Sequence, residues 1–354
     1  MRLLVQPDDG IAPLVAAVKN AKKSVEIVIF RLDRKEMETA LQAAVERGVA
    51  VRALIAHTNR GGEKTLRSLE GRLLAMGITV ARTGDDLARY HGKMLIVDAR
   101  MIYVLTFNFA HIDVDHSRGF GILTKNAEFI QEGRKLFEAD CARQPYTPGL
   151  QSFLVSPANA RNQIAEFIRD ARKQLLIYDP RVSDRQMIRL LEERRKAGVD
   201  VRIIGRVAGR KGDLVSAPLT TMRLHAKVII RDRRQAFVGS QGLRQVELDS
   251  RREIGFIVRD SKIVNGLLAV FEKDWTSTDY AKGQEADAGL DAKALAKELP
   301  PLAATVRQAV KKVVENANGE ALADDEVRDT VKKTVKKAVK EAIKEVVEEK
   351  QISP

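Results

Sequence analysis

Cysteine is almost missing from this 354-residue chain: Cys141 is the only one, so no intrachain disulfide can form. Aromatic residues make up 5% of the sequence and Trp275 is the single tryptophan, a poor supply of stacking surfaces for a protein that grips bases. Apolar runs are short as well, and none approaches the roughly 20 residues of a membrane-spanning helix. The opening residues Met1 to Asp9 lack the charged start and long apolar centre of a signal peptide. With no disulfide to form, the expectation is a cytoplasmic protein. Histidine is scarce too, at five residues, which makes the placement of each informative.

What is present is charge and a core. Hydrophobic residues form 44% of the chain, enough for packed domains, and 61 Lys and Arg against 48 Asp and Glu give a formal charge of +13. From Gly283 onward the tail is close to balanced, with 13 basic and 14 acidic residues, so the excess belongs to the body. A basic body attracts anionic partners, and both nucleic acid and acidic lipid headgroups qualify.

The body is a repeat. Leu4-Val5-Gln6-Pro7 matches Leu154-Val155-Ser156-Pro157, and Gly48-Val49-Ala50-Val51-Arg52 matches Gly198-Val199-Asp200-Val201-Arg202, each 150 positions on. Two further stretches share His-x-Lys-x4-Asp: His91, Lys93 and Asp98, then His225, Lys227 and Asp232, only 134 positions apart. A duplicated α/β unit with one deletion in its second copy explains both spacings. A histidine and a lysine two apart on a strand face the same way. An acid/base or nucleophile and a fixed positive charge are thereby aimed at one point, which suits a phosphoryl group. His57, His111 and His116 carry no such pattern and read as structural residues.

The paired motifs and the repeat, covering about residues 1 to 280, resemble the phospholipase D superfamily. The resemblance implies a duplicated α/β/α sandwich, two halves related by a pseudo-twofold axis around one active site. It implies that one histidine attacks phosphorus to form a phosphohistidine while the other protonates the leaving oxygen, without a metal or other cofactor. Lys93 and Lys227 would neutralise the phosphate oxygens, with Asn108, Ser240 and Thr106 as neutral phosphate-binding donors. Asp98 and Asp232, at the far ends of their strands, would hold turns. The family also carries an acid shortly after each motif that steadies a histidine. The second copy has Glu253, which on sequence proximity would serve His225 and make it the better-equipped nucleophile, whereas family precedent favours His91. The first copy has Gly119 there, with Asp113, Asp115 or His116 as substitutes, and the second copy has Gly242 where the family usually has asparagine.

Periodicity predicts helices over residues 11 to 23, 35 to 47, 63 to 76, 164 to 173 and 185 to 196, and strands over 24 to 30, 49 to 56, 175 to 178 and 199 to 204. Pro145 and Pro148 mark a junction, giving domains 1–146 and 147–282 and a helical charged extension 283–354. Valine stripes in that extension (Val331, Val335, Val339) suit self-association or docking, and its lysines suit an anionic membrane or nucleic acid. The expected function is a metal-independent phosphodiesterase or phosphatidyltransferase on phospholipid. The alternatives are a nuclease of the same superfamily, or a catalytically impaired module that binds anionic polymer or membrane.

Overall fold

A computed structural model describes residues 1–57, 63–209 and 214–281, and the extension expected to be helical lies outside them. The first copy runs β1 (Arg2–Gln6), α1 (Ala12–Asn20), β2 (Ser24–Ile29), α2 (Lys35–Glu46), β3 (Ala50–Ile55), α3 (Glu63–Ala75), β4 (Thr79–Arg82), β5 (Arg89–Tyr90), β6 (Met94–Val97), β7 (Met101–Leu105), α4 (His111–Asp115), β8 (Ser117–Thr124) and α5 (Ala127–Ala142). The second runs β9 (Phe153–Val155), α6 (Ala160–Arg169), β10 (Gln174–Val182), α7 (Arg185–Lys196), β11 (Asp200–Val207), β12 (Val215–Ala217), β13 (Arg223–Leu224), β14 (Val228–Arg231), β15 (Gln235–Gly239), α8 (Gln245–Asp249), β16 (Arg251–Arg252), β17 (Ile254–Val258) and α9 (Ser261–Thr276). The fold is mixed α/β, as the alternation of helix and strand patterns predicts.

Each copy builds one sheet, and the strand orders coincide. The first is β1-β8-β7-β6-β2-β3-β4 and the second β9-β17-β15-β14-β10-β11-β12. In each, the parallel pair (β2 with β3, β10 with β11) is joined by an amphipathic helix, α2 or α7. Met37, Leu41 and Ala44 of α2 and Met187, Leu190 and Leu191 of α7 are the buried faces. Residues at helical spacing can bury only against a sheet or another helix, which fixes these helices over the parallel strands.

A third apolar cluster crosses between the copies, joining Phe120, Phe129 and Ile130 of the first to Phe153, Tyr178, Phe256 and Trp275 of the second. The rings of Phe129 and Phe256 meet edge-to-face at 4.5 Å between centroids. Met1–Gly283 accordingly forms one compact unit. Among the described residues no helix is long and apolar enough to cross a membrane.

The third residue of each motif sits far from its histidine. Asp98 and Asp232 both adopt left-handed backbone (φ 55° and 51°) at the hairpin that ends β6 or β14. The Asp98 carboxylate accepts amide hydrogens from Lys22, Lys23 and Ser24 at 2.6 to 3.0 Å. Asp232 does the same for Arg172, Lys173 and Gln174 at 2.7 to 3.2 Å. Each thereby ties the hairpin to the start of the neighbouring strand. Replacing Asp98 with alanine gives those largely exposed amides to water, and equilibrium urea unfolding should show a loss of about 0.5–1.5 kcal/mol.

Candidate active site

Two very short strand pairs join the halves where the motifs begin. β5 pairs with β16 (Arg89 with Arg251, Tyr90 with Arg252), and β13 pairs with β8 (Arg223 with Ser117, Leu224 with Arg118). The ladders continue one residue further, because the His91 amide donates to the Arg252 carbonyl at 2.8 Å and the His225 amide to the Arg118 carbonyl at 3.1 Å. Each histidine is therefore registered against the opposite half. The residue after Arg252 is Glu253, and the residue after Arg118 is Gly119.

This register corrects the partner expected for Glu253. Its carboxylate lies on His91, with both oxygens 3.0 Å from Nδ1, and not on His225. The physical reason is that β16, which precedes Glu253 in the second copy, pairs with β5 of the first copy, which leads into His91. Lys93 completes the group, its Nζ 2.6 Å from the His91 carbonyl oxygen and 2.9 Å from His91 Nε2. With Nδ1–H donating to Glu253, Nε2 carries the lone pair.

His225 has a different acid. Asp113 of α4 places Oδ2 3.4 Å from His225 Nδ1 and is itself held by the Asn108 amide (3.0 Å) and Asn108 Nδ2 (2.5 Å). Arg223 reaches the other Asp113 oxygen at 2.6 Å. Of the three substitutes named for the missing acid, Asp113 is thus the one at His225. Asp115 pairs with Arg34 and His111 instead, and His116 packs against the His111 ring. A side chain at Gly119 would crowd Phe107, since a Cβ there would lie 3.0 Å from Phe107 Cδ1 and 3.2 Å from Phe107 Cβ and the ring would have to give way.

The remaining polar candidates divide. The Thr106 hydroxyl accepts from the Phe120 amide at 2.9 Å and the Ser240 hydroxyl from the Ile254 amide at 3.0 Å, so both brace the turns after the motifs. Asn108 keeps its buried Oδ1 without a partner. At Gly242 the space of the absent asparagine is taken by acids: a Cβ would lie 2.5 Å from Glu247 Oε2 and 3.1 Å from Asp179 Oδ2. Neither Asp179 nor Glu247 belongs to the motif, and sequence reasoning missed both. Glu247 was visible as the repeat partner of Asp113, 134 positions on. Lys227 is buried, at 6% exposure, and its Nζ has no hydrogen bond or ion pair with any described residue.

Burial dominates the titration of the group. It pushes His91 and His225 well below the usual imidazole value, assisted for His91 by Lys93 and Lys227 and for His225 by Lys227. Burial also brings Lys93 down to about 7, against the pull of Glu253 and with the help of Lys227. Glu253 is pushed up by burial, with Lys93 and Lys227 opposing. Burial raises Asp113 too, but attraction to His225 and bonds from Asn108 and Arg223 outweigh it, and the carboxyl stays below its ordinary value. Lys93 and Lys227 each act on both histidines, and Glu253 and Asp113 each pair with one, so the two motifs lie within electrostatic reach of one another.

The family described as "Cardiolipin synthase, PLD-like domain" matches residues 14–141 and 164–275, most of both halves. The chain belongs to the phospholipase D superfamily. Among similar proteins is a polyphosphate kinase of Prosthecochloris aestuarii, 24% identical over 301 residues, 74% of this chain and 41% of the kinase. A mitochondrial cardiolipin hydrolase of Danio rerio is 29% identical over 130 residues, 36% of this chain and 56% of the hydrolase. The chain thus spans about half the length of these curated relatives. The crystal structure of a Porphyromonas gingivalis polyphosphate kinase superposes with a TM-score of 0.64 at 18% identity, covering 77% of this chain and 50% of that one. A Haemophilus influenzae phosphatidylserine synthase gives 0.57 at 12% identity, covering 78% and 85%. At such identities the likeness is one of phospholipase D fold.

An asymmetric carboxylate arrangement predicts asymmetric mutants. Glu253→Gln keeps the shape but weakens the hold on Nδ1–H, and kcat should fall about 10- to 100-fold. A KM change alone, with kcat intact, would contradict the positioning role.

Proposed function

We propose that this phospholipase D-superfamily chain is an enzyme that cleaves or transfers a phosphodiester through a phosphohistidine. The observation that carries this reading is the reciprocal arrangement of His91 on Glu253 and His225 on Asp113, each acid supplied by the opposite side of one buried centre that also holds Lys93 and Lys227. His91 is the nucleophile, because its two-oxygen partner fixes the tautomer that leaves the lone pair on Nε2. Nε2 attacks phosphorus while the P–O bond breaks, and a proton held by His225 passes to the leaving oxygen. His225 then takes the proton of a water or alcohol whose oxygen attacks phosphorus, the P–N bond breaks, and His91 is restored. The substrate's negative charge is what raises the low affinity of His225 for a proton. Lys93 and Lys227 meet the charge that accumulates on the non-bridging oxygens, so no metal ion is needed in this scheme.

Phospholipid is the substrate class we favour. The family description and the cardiolipin hydrolase relative support it. So do Ile112 and Val246, exposed aliphatic residues at equivalent positions on α4 and α8, the helices that carry Asp113 and Glu247. The test is a metal-free panel, with EDTA present, of phosphatidylglycerol, phosphatidylcholine and cardiolipin vesicles against single- and double-stranded DNA and RNA. Headgroup release from a lipid is the expected result. Turnover confined to nucleic acid would establish the nuclease instead, and binding without turnover of either would leave the chain a binding module.

A further inference from the structure

The two halves differ beside the turns that follow the motifs. In the second half, Arg181, Ser183, Arg244, Gln245, Val246 and Ser250 line an open cleft between the end of β10 and α8. The repeat places Arg31, Asp33, Ala110, His111, Ile112 and His116 at the same positions of the first half. There the acids are already engaged: Asp115 with Arg34 and His111, and Asp33 Oδ1 with the His111 amide at 2.7 Å. In the second half Ser183 replaces Asp33 and Arg244 replaces Ala110. The cleft keeps its cations and has lost the acid at that position.

A chain of contacts links the cleft to the catalytic centre. Glu247 accepts from the Gly242 amide with Oε2 at 2.7 Å, while its Oε1 holds Arg244 and, at 3.2 Å, Arg251. Arg251 in turn lies 3.9 Å from Glu253, the partner of His91. Arg181 is carried next to this chain of charges by its amide, which donates to Asp179 at 2.9 Å, and Asp179 borders Gly242. The Arg181 guanidinium itself has no hydrogen bond or ion pair with a described residue. One carboxylate, Glu247, faces Arg244 and Arg251, and no described carboxylate is paired with the exposed Arg181 guanidinium at the wall of the cleft.

The geometry points to a second phosphate subsite in this cleft: Arg181 and Arg244, with the hydroxyls of Ser183 and Ser250, take a phosphate other than the reacting one on the same substrate molecule. Guanidinium groups beside hydroxyl donors match the oxygens of a phosphate dianion, and a site on one side only gives the substrate a direction. The inference rests on the reading of the histidine centre as phosphate-directed and adds a substrate class, molecules with at least two phosphates. The second phosphate has two sources, a phosphorylated lipid headgroup or a free polyphosphate.

Calorimetry on the full chain with EDTA separates the possibilities without needing turnover. The probes are inorganic tripolyphosphate against orthophosphate, and short-chain dihexanoyl phosphatidylinositol 4-phosphate against dihexanoyl phosphatidylinositol. In at least one pair the ligand with the additional phosphate should bind about tenfold more tightly, and Arg181→Ala should remove that preference. The lipid pair responding alone assigns a headgroup, and the inorganic pair alone assigns a free polyphosphate. Arg31→Ala, the same charge change at the equivalent position of the first half, should leave the preference intact. The proposal is overturned if neither pair shows a preference, or if Arg31→Ala and Arg181→Ala reduce it equally, which would mean a long-range field. Orthophosphate that fails to bind while the Arg181-dependent preference persists would sink the reading of the histidine centre and leave the subsite standing.

Discussion

His91→Asn and His225→Asn should both lower turnover of a natural phosphodiester by roughly 10⁴-fold or more, and yet differ in what they accumulate. The difference follows from leaving-group chemistry. With bis(p-nitrophenyl) phosphate the departing p-nitrophenolate is stable without a proton, so His225→Asn should still release one equivalent and stop at the adduct on His91. The water that would clear it has lost its base. His91→Asn should give no burst at all, because the attacking nitrogen is missing. A stopped-flow burst in His225→Asn and none in His91→Asn fits Glu253 on His91 as the partner of the nucleophile. The reverse pattern would exchange the two roles.

Lys93→Met should lower kcat/KM by about 10²- to 10³-fold and at the same time make the protein more stable, the second large effect. Lys93 is 1% exposed, and burial has brought its ammonium down to about 7. In the unfolded chain a lysine keeps its proton to about 10.4. Between those values the unfolded state binds more protons than the folded state, so stability falls as pH drops from above 10 to about 7, and the full cost is present below 7. Removing the amine removes that cost. Thermal or urea unfolding at pH 6 should show Lys93→Met ahead by about 1–3 kcal/mol, because part of the gain is lost at Glu253, which keeps Lys227 and Arg251 but loses its Lys93 partner. The advantage should shrink towards pH 10. Catalysis carries the mirror image: in the unsubstituted protein Lys93 loses its charge above about 7, so kcat/KM should decline with rising pH there, and this limb should be absent in the variant.

Much of this molecule was legible in one dimension. The repeat announced two sheets of one strand order, and α7 occupies Arg185–Lys196 as its period predicts, because apolar side chains at helical spacing have one place to go. Helices α5 and α9, which the sequence analysis does not assign, each carry a glycine mid-helix, a residue that costs about 1 kcal/mol there relative to alanine. Packing explains both. A Cβ at Gly133 would lie 2.4 Å from Ile102 Cδ1, and one at Gly266 2.9 Å from Leu3 Cδ2, so the glycines let these helices lie against the sheets.

The histidines and lysines were legible from the paired spacing of their motifs, although His91 and Lys93 lie between β5 and β6, and His225 and Lys227 between β13 and β14, outside the strands expected to carry them. The carboxylates were not. Proximity in sequence put Glu253 with His225, whereas pairing between two-residue strands of opposite halves puts it on His91, and such strands are too short to leave a periodic signal. The losses at Gly119 and Gly242 likewise make sense only in three dimensions. Phe107 fills one space, and Asp179 and Glu247 fill the other.

The claim of one composite phosphohistidine centre is tested most directly by quenching the unsubstituted protein early in turnover, with EDTA present, and mapping its peptides by mass spectrometry. An acid-labile phosphoryl adduct on the His91 peptide, at up to one per chain, is the predicted result. Steady turnover with no adduct on either His91 or His225, or turnover that stops when EDTA is added, would contradict it.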